Sequence, residues 1–333
     1  MSKRFSDRES TYPYRMLVTP ENGVAYYATV ERADDPVEPG TPLNAETLNN
    51  WDDDLVKKCS DPMNLLDNSY FGYPVNQRGL EYYAAGSVRY TIDRWRAMTQ
   101  NSVTVDTASK MILVYNASEN QAMGFAQYLP DEKVPEAGKP ITFACENAQG
   151  VVTVASVLMP PSGNVEICSI SAGNTVCATV RVYSAADGAR LTFMVKQLST
   201  MELRWAALYE GEYTADTLPP YRLKSYTEEL LECQRYFVKT RGGAGFMNAA
   251  ETIAYIELPL PTIMRAVPSV EQYTVTSIRG GGKFIQPSAV TNFVTNSMIS
   301  GIPMVGLVIT GTFTGCKYHS VYYEGTVSLS ADL

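Results

Sequence analysis

The sequence predicts a mainly β protein: an N-terminal hairpin plus helix, a β-sandwich, a short linker helix and a second, C-terminal β-sandwich. Three observations carry that prediction. Between residues 102 and 196, short β-prone runs recur at about ten-residue spacing, separated by Gly, Asn, Asp, Pro and Ser turns. Charged residues make up only 19% of the chain while tyrosine occurs 22 times, which suits exposed β surfaces because tyrosine joins an apolar ring to a hydrogen-bonding tip. Only two stretches, 45–58 and 226–240, read as helices. A chain of 333 residues exceeds one ordinary core and fits two or three domains, and its 45% hydrophobic content is that of a globular protein.

The elements follow in order. Runs 15–19 and 23–30 are strand-like and joined by a turn at Pro20, Glu21, Asn22 and Gly23. Asn44 can cap a helix over 45–58, with Glu46 near its start and Lys57 and Lys58 at its end, charges that complement the helix dipole. Asp61 and Pro62 break that helix. Strand runs are expected at 102–107, 110–115, 141–145, 151–158, 165–170, 175–183 and 190–196, and a Trp205-bearing run closes a two-sheet sandwich near residue 210. Pro219 and Pro220 mark a crossing. Ser225 or Thr227 can cap the helix over 226–240, with Glu228 and Glu229 in its first turn and Leu230, Leu231, Cys233, Tyr236 and Phe237 at apolar positions. Gly242, Gly243 and Gly245 predict a flexible break. Strands return at 252–258, 267–276, 283–286, 304–313 and 318–328, with Pro259, Pro261 and Pro268 confining the first of them to an edge or bending it. The expected regions are therefore 1–60, 61–210, 211–245 and 246–333.

Composition excludes several classes of function. The net charge of −8 offers no basic footprint for nucleic acid and would be repelled by an anionic membrane surface. No run of about 20 apolar residues predicts membrane insertion, and the N-terminal residues show no secretory h-region. The six cysteines lack metal-ligand spacing and read as reduced, buried thiols; Cys168 and Cys177 could face each other across a hairpin, and the sequence leaves their pairing open. The lone histidine, His319, has no nucleophile elbow to serve. Gly280, Gly281 and Gly282 lack the Lys-Ser/Thr pair of a phosphate loop. Acidic runs at Asp34 and Asp35, at Asp52, Asp53 and Asp54, and at Glu228 and Glu229 read as solvated faces. No enzyme activity and no cofactor are expected. Trp95 reads as sandwich core, and Trp51 and Trp205 as packing residues. Tyrosines flanking turns and strand ends (Tyr82, Tyr83, Tyr128, Tyr273, Tyr318, Tyr322 and Tyr323) can stack on a sugar ring and bond its hydroxyls; the distal four, Tyr273, Tyr318, Tyr322 and Tyr323, are the candidate ligand-binding residues.

Residues 202–237 read ELRWAALYEGEYTADTLPPYRLKSYTEELLECQRYF. A tryptophan-bearing strand, a Glu-Gly turn, a proline crossing and a Glu-Glu-Leu…Cys-Gln-Arg-Tyr-Phe helix follow one another. This segment resembles one found in tail fibre and receptor-binding proteins of bacteriophages and prophages. The order Asn64-Leu65-Leu66, Asn68 to Phe71, Asn76-Gln77-Arg78-Gly79 and Tyr90-Thr91-Ile92-Asp93-Arg94-Trp95 resembles the opening of a jelly-roll module related to carbohydrate-binding modules. The run from Asp35-Pro36-Val37 to Gly40-Thr41-Pro42-Leu43-Asn44-Ala45 resembles a fibre attachment region, and 256–270 the start of a fibre tip. The resemblance implies a homotrimer. Its region 1–60 would dock to virion tail or baseplate proteins, and the helix would align three chains. The distal β domain would touch a host cell-surface polysaccharide or protein. It also implies a protein made in the host bacterial cytoplasm and carried on the virion tail. A glycan-cleaving tailspike depolymerase and a purely structural virion protein, such as a head fibre or baseplate component, are the alternatives.

Overall fold

The computed structural model describes residues 62–331, apart from 186–187, 275–276, 281–282, 286, 293–296, 300–301 and 312–319, and before them 15–18, 23–24, 26–29 and Leu48. The chain divides into two compact units, Met1–Pro62 and Met63–Leu333. In the first, β1 (Arg15–Val18) and β2 (Tyr26–Thr29) pair antiparallel from Arg15 opposite Thr29 to Val18 opposite Tyr26, as expected of two strand-like runs joined by a turn. Leu48 is helical. Trp51 and the acidic runs at 34–35 and 52–54 lie outside the described residues.

The second unit opens with twelve strands: β3 (Tyr82–Tyr83), β4 (Arg89–Tyr90), β5 (Arg96–Ala97), β6 (Asn101–Asp106), β7 (Met111–Asn116), β8 (Met123–Leu129), β9 (Pro140–Asn147), β10 (Val152–Leu158), β11 (Gly163–Ala172), β12 (Thr175–Ala185), β13 (Gly188–Val195) and β14 (Thr200–Glu210). They form two six-stranded antiparallel sheets, ordered β10-β9-β14-β7-β6-β3 and β11-β12-β13-β8-β5-β4. Side chains of both sheets share one core, as expected of a sandwich. At its centre Trp95 is fully buried, stacked on Phe125 at 5.0 Å and packed edge-on against Phe71 at 5.3 Å. Phe193 joins it at 5.8 Å, and Phe143 meets Phe193 at 5.7 Å.

Sequence reasoning missed β8. It lies inside its sheet, between β13 and β5, with five of its seven residues buried and none exposed. A strand covered on both sides carries no polar alternation to betray it.

After the sandwich come α1 (Tyr226–Gln234) and nine strands: β15 (Phe237–Met247), β16 (Ile253–Pro259), β17 (Ser269–Tyr273), β18 (Ser277–Gly280), β19 (Lys283–Ile285), β20 (Pro287–Asn292), β21 (Ser297–Ile299), β22 (Ile302–Gly311) and β23 (Ser320–Ser330). Ser225 caps α1 through a reciprocal box with Glu228. The helix stops at Gln234 rather than near 240, because Phe237 enters the ladder with β23 opposite Ser330 and is buried there with Tyr236 and Val238. The expected flexible break at Gly242, Gly243 and Gly245 is instead the middle of β15: Gly242 lies at a register shift against β23, Gly243 pairs with β23, and Gly245 pairs with both β23 and β16. Glycine is needed there for close approach: a Cβ on Gly245 would lie 1.7 Å from the Tyr255 carbonyl oxygen.

Where a second sandwich was expected, the hydrogen bonds of β15–β23 run through one antiparallel sheet, ordered β19-β18-β23-β15-β16-β22-β20, with β17 also on β23 and β21 on β22. Its buried face is aliphatic: Ala254, Ile256 and Leu258 of β16, Val305, Leu307 and Ile309 of β22, and Val321, Val327 and Leu329 of β23. No helix among the described residues is long and apolar enough to cross a membrane.

Candidate ligand-binding site

The segments that open the sandwich, 64–71, 76–79 and 90–95, converge on a buried polar knot. Asp67 binds Arg94 Nε through Oδ2 at 3.1 Å and Lys133 Nζ through Oδ1 at 2.5 Å. Its backbone N–H and C=O are both held by the Gln127 amide, at 2.7 and 2.6 Å. Burial alone would raise the Asp67 carboxyl, but Arg94 and Lys133 together hold it below the usual carboxylate range. Asn68 sits at φ 49°, a left-handed conformation that asparagine tolerates. Its side chain bridges Val75 and the Asp93 carbonyl, and its own carbonyl accepts from Trp95 Nε1 at 2.9 Å. Residues that sequence reading treated as a signature are thus the struts around the core tryptophan.

The same knot joins the sandwich to α1 and the C-terminal sheet. The Arg94 guanidinium lies 3.4 Å from the Tyr236 ring centre. Gln77 Nε2 donates to the Phe237 carbonyl at 2.7 Å. Arg78 packs 3.8 Å over the Phe237 ring and bridges Asp93 at 3.2 Å and Glu271 of the C-terminal sheet at 3.0 Å. Arg94, Asp67 and Asp93 are largely buried in these pairs, so loss of one member would strand the other.

The outer face of the C-terminal sheet carries aromatic rings. On β16 the alternation is strict: Ala254, Ile256 and Leu258 are buried, and Tyr255 and Glu257 lie on the other face. Tyr255 pairs with Phe246, and their rings stack at 5.2 Å. Tyr322 pairs with Ala244, two positions from Phe246 on the same strand, so its Cβ stands ~7 Å from that of Phe246 on the diagonal of one face. Phe246 and Tyr322 are 56% and 54% exposed, which leaves both rings open to a ligand. The row sits on rigid strands, the placement that holds a binding group most accurately.

Of the four distal tyrosines predicted from sequence, Tyr322 belongs to this row. Tyr323 follows it on β23, opposite Gly243 and Ile278. Tyr273 is exposed but pairs with Val327, five positions along β23, a separation of ~17 Å at the rise of a strand. Tyr318 lies outside the described residues, as does His319. Phe246 and Tyr255 were missed. The alternation of residues 253–259 signals that Tyr255 faces outward, but pairing with β15 is invisible once that segment is taken for a glycine break.

The other candidates resolve individually. Tyr82 is exposed, whereas Tyr83 is buried, donates to Asn76 Oδ1 at 2.6 Å and has its phenol pushed up to about 12 by burial. The Tyr128 hydroxyl is held by Arg190 Nη1 at 2.9 Å. Trp205 packs on Tyr221 at 4.9 Å and donates to Glu146 at 2.6 Å. Cys145, Cys168, Cys177 and Cys233 are free thiols. Burial pushes Cys168 up to about 12, and Cys177 Sγ turns to the Ile170 carbonyl at 3.4 Å, so the pairing left open by sequence is not made. The solvated-face reading holds for Glu228 but not for Glu229, which turns toward the sandwich and accepts a hydrogen bond from the Asn68 N–H. Adjacent helical residues point 100° apart, enough to send one carboxylate to water and its neighbour inward. Among the described residues no cluster of His, Cys, Asp or Glu could hold a metal ion. No protein-family model matches this chain, and no curated protein sequence matches it.

Proposed function

We propose that this chain is a receptor-binding subunit of a bacteriophage or prophage tail fibre, which holds a host-surface polysaccharide or protein without transforming it. The observation that carries this reading is the open aromatic row Tyr255, Phe246 and Tyr322 on the C-terminal sheet. Stacked rings on a rigid strand surface fit the apolar faces of sugar rings or an aromatic-rich protein patch. The mainly β architecture, 52% strand, supports it. So does the polar knot, built from the very residues that resemble a jelly-roll carbohydrate-binding module. In this reading the module at 61–210 is that jelly roll. Residues 1–60 attach to the tail or baseplate, and threefold repetition raises weak single-site binding to useful avidity.

Adsorption of the purified protein to host cells tests it. Phe246→Ala with Tyr322→Ala is expected to lower retention on cells at least about tenfold with an unchanged melting temperature, since both side chains are exposed. Unaltered adsorption by the double variant refutes the assignment of this face. New reducing ends released from host polysaccharide would replace adhesion with cleavage, and a monomer in sedimentation would remove the trimer.

A further inference from the structure

A second site, remote in sequence from the aromatic row, lies where α1 meets the sandwich opening. Four rings run in file from the surface inward: Tyr73 to Tyr70 at 6.4 Å, Tyr70 to Tyr221 at 6.1 Å, and Tyr221 to Trp205 at 4.9 Å. The outer two, with Leu223 and Tyr226, wall a cleft of about 340 Å³, within the range of about 300–1,000 Å³ typical of small-molecule sites. Tyr73, Leu223 and Tyr226 are each about 60% exposed around this one concavity. Isolated apolar residues on a surface are ordinary, but three ringing one cleft are not. The Tyr70 ring lies against Gly72, where an added Cβ would sit 2.9 Å from two ring atoms, so the missing side chain lets the ring lie flat against the backbone.

The polar lining is sparse and directed. Glu229 lines the cleft, with one carboxyl oxygen held by the Asn68 N–H and the other without a hydrogen-bond partner among the described residues. The Lys224 ammonium is bound to Glu232 at 2.5 Å. One cation therefore faces two carboxyl groups, Glu229 and Glu232, while Asp67 behind them is committed to Arg94 and Lys133. An anionic ligand would meet uncompensated like charge here.

We propose that this cleft binds an uncharged pyranose unit of a glycan, stacked on Tyr73 and Tyr226 and donating a hydroxyl proton to the open oxygen of Glu229. The apolar C–H face of a neutral sugar fits tyrosine walls, its hydroxyls fit a lone acceptor, and its lack of charge fits the acidic balance. Burial raises the Glu229 carboxyl above its ordinary value, against the pull of Lys224, which agrees with a site that does not welcome further negative charge. The inference stands on the cleft alone, independent of whether the C-terminal sheet binds cells.

The test is an array of immobilised neutral, N-acetylated and acidic glycans probed with the full-length chain, followed by calorimetric titration of the best-retained glycan. The expected result is retention on neutral or N-acetylated glycans. Tyr73→Ala and Tyr226→Ala should each weaken binding about tenfold, while Leu158→Ala, at an exposed apolar side chain of the sandwich outside both sites, leaves it unchanged. Thermal melting of each variant verifies that the fold is intact, and Tyr73→Phe, which keeps the ring, should retain most of the affinity. The proposal is overturned by failure to retain any neutral glycan at millimolar concentration or by a preference for acidic ones. Wild-type binding by both alanine variants, or loss only in the Phe246/Tyr322 double variant, overturns it equally.

Discussion

The sandwich gathers its largest rings in its core, whereas the C-terminal sheet carries three rings on the face opposite its aliphatic core. In the sandwich five rings face inward: Phe71, Trp95, Phe125, Phe143 and Phe193 are fully buried and in mutual contact. In the C-terminal sheet the buried face is Ala, Val, Leu, Ile and Met, and the rings of Phe246, Tyr255 and Tyr322 lie on the other side. Two facing sheets enclose a slab about 10 Å thick that large rings fill well. The C-terminal sheet packs its aliphatic face with segments that include Leu260 and Met264, and aliphatic chains fill such an interior at the density of a close-packed core. The second arrangement also leaves aromatic residues where a partner can reach them. An abundance of tyrosine and phenylalanine therefore does not mark binding by itself; the face on which each ring falls does.

The sharpest break in that contrast is core truncation. Trp95→Ala should cost ~3–5 kcal/mol and Leu307→Ala ~2–5 kcal/mol, read as shifts of the denaturation midpoint by circular dichroism. If the two regions unfold independently, each substitution moves one of two transitions. If the Arg78, Gln77 and Arg94 contacts fuse them, both substitutions shift a single transition, and that outcome is expected from the burial of the knot.

Gly245→Ala comes next. No backbone adjustment confined to one residue relieves a Cβ placed 1.7 Å from the Tyr255 carbonyl oxygen, so the β15–β16 ladder must shift. A loss of ~1–3 kcal/mol or more is expected, with hydrogen exchange quickening in 244–247 and 254–257 before the sandwich is affected. Exchange as slow as in the unsubstituted protein would show that the strand tolerates the methyl group.

The smallest effects are in pH dependence, where the buried Asp67 carboxyl and the half-buried Glu229 carboxyl have opposite signs. Asp67 has a lowered folded value. Its stabilisation is present above the unfolded carboxylate range near ~3.9 and is lost as pH falls through the depressed value. Glu229 has a raised folded value. Its contribution is present below the unfolded range and is lost as pH rises through the raised value. Asp67→Asn should therefore flatten the acid limb of the stability profile, while Glu229→Gln should stabilise the protein at neutral pH and lose that advantage near pH ~4. Parallel profiles for the two variants would contradict the opposite signs.

Much of the sandwich was legible because its strands are half-exposed or bounded by turns: β10, β11 and β12 alternate or end in Gly and Asn, and each was expected within a few residues of its place. The cap at Ser225 was legible because capping chemistry is local. The C-terminal sheet was legible in part. Its β16 and β22 carry alternation, whereas β15 hides behind three glycines. Tyr322 could be nominated from position, but its ring neighbours could not, since cross-strand partners are set by register between segments some eighty residues apart.

The order of amino acids sufficed for a β-rich chain with little charge, a tryptophan at the heart of a sandwich, and a capped helix before a second β region. Those features rest on alternation, turn chemistry and hydrogen bonds between near neighbours. Long-range packing was needed to end the helix at Gln234, to make a strand of the glycines, to turn Glu229 inward, and to bring particular rings together on the surface. Each of these is settled by burial against, or pairing with, residues far along the chain, and short-range preferences yield when a distant partner covers more apolar surface and satisfies more backbone groups than the local alternative.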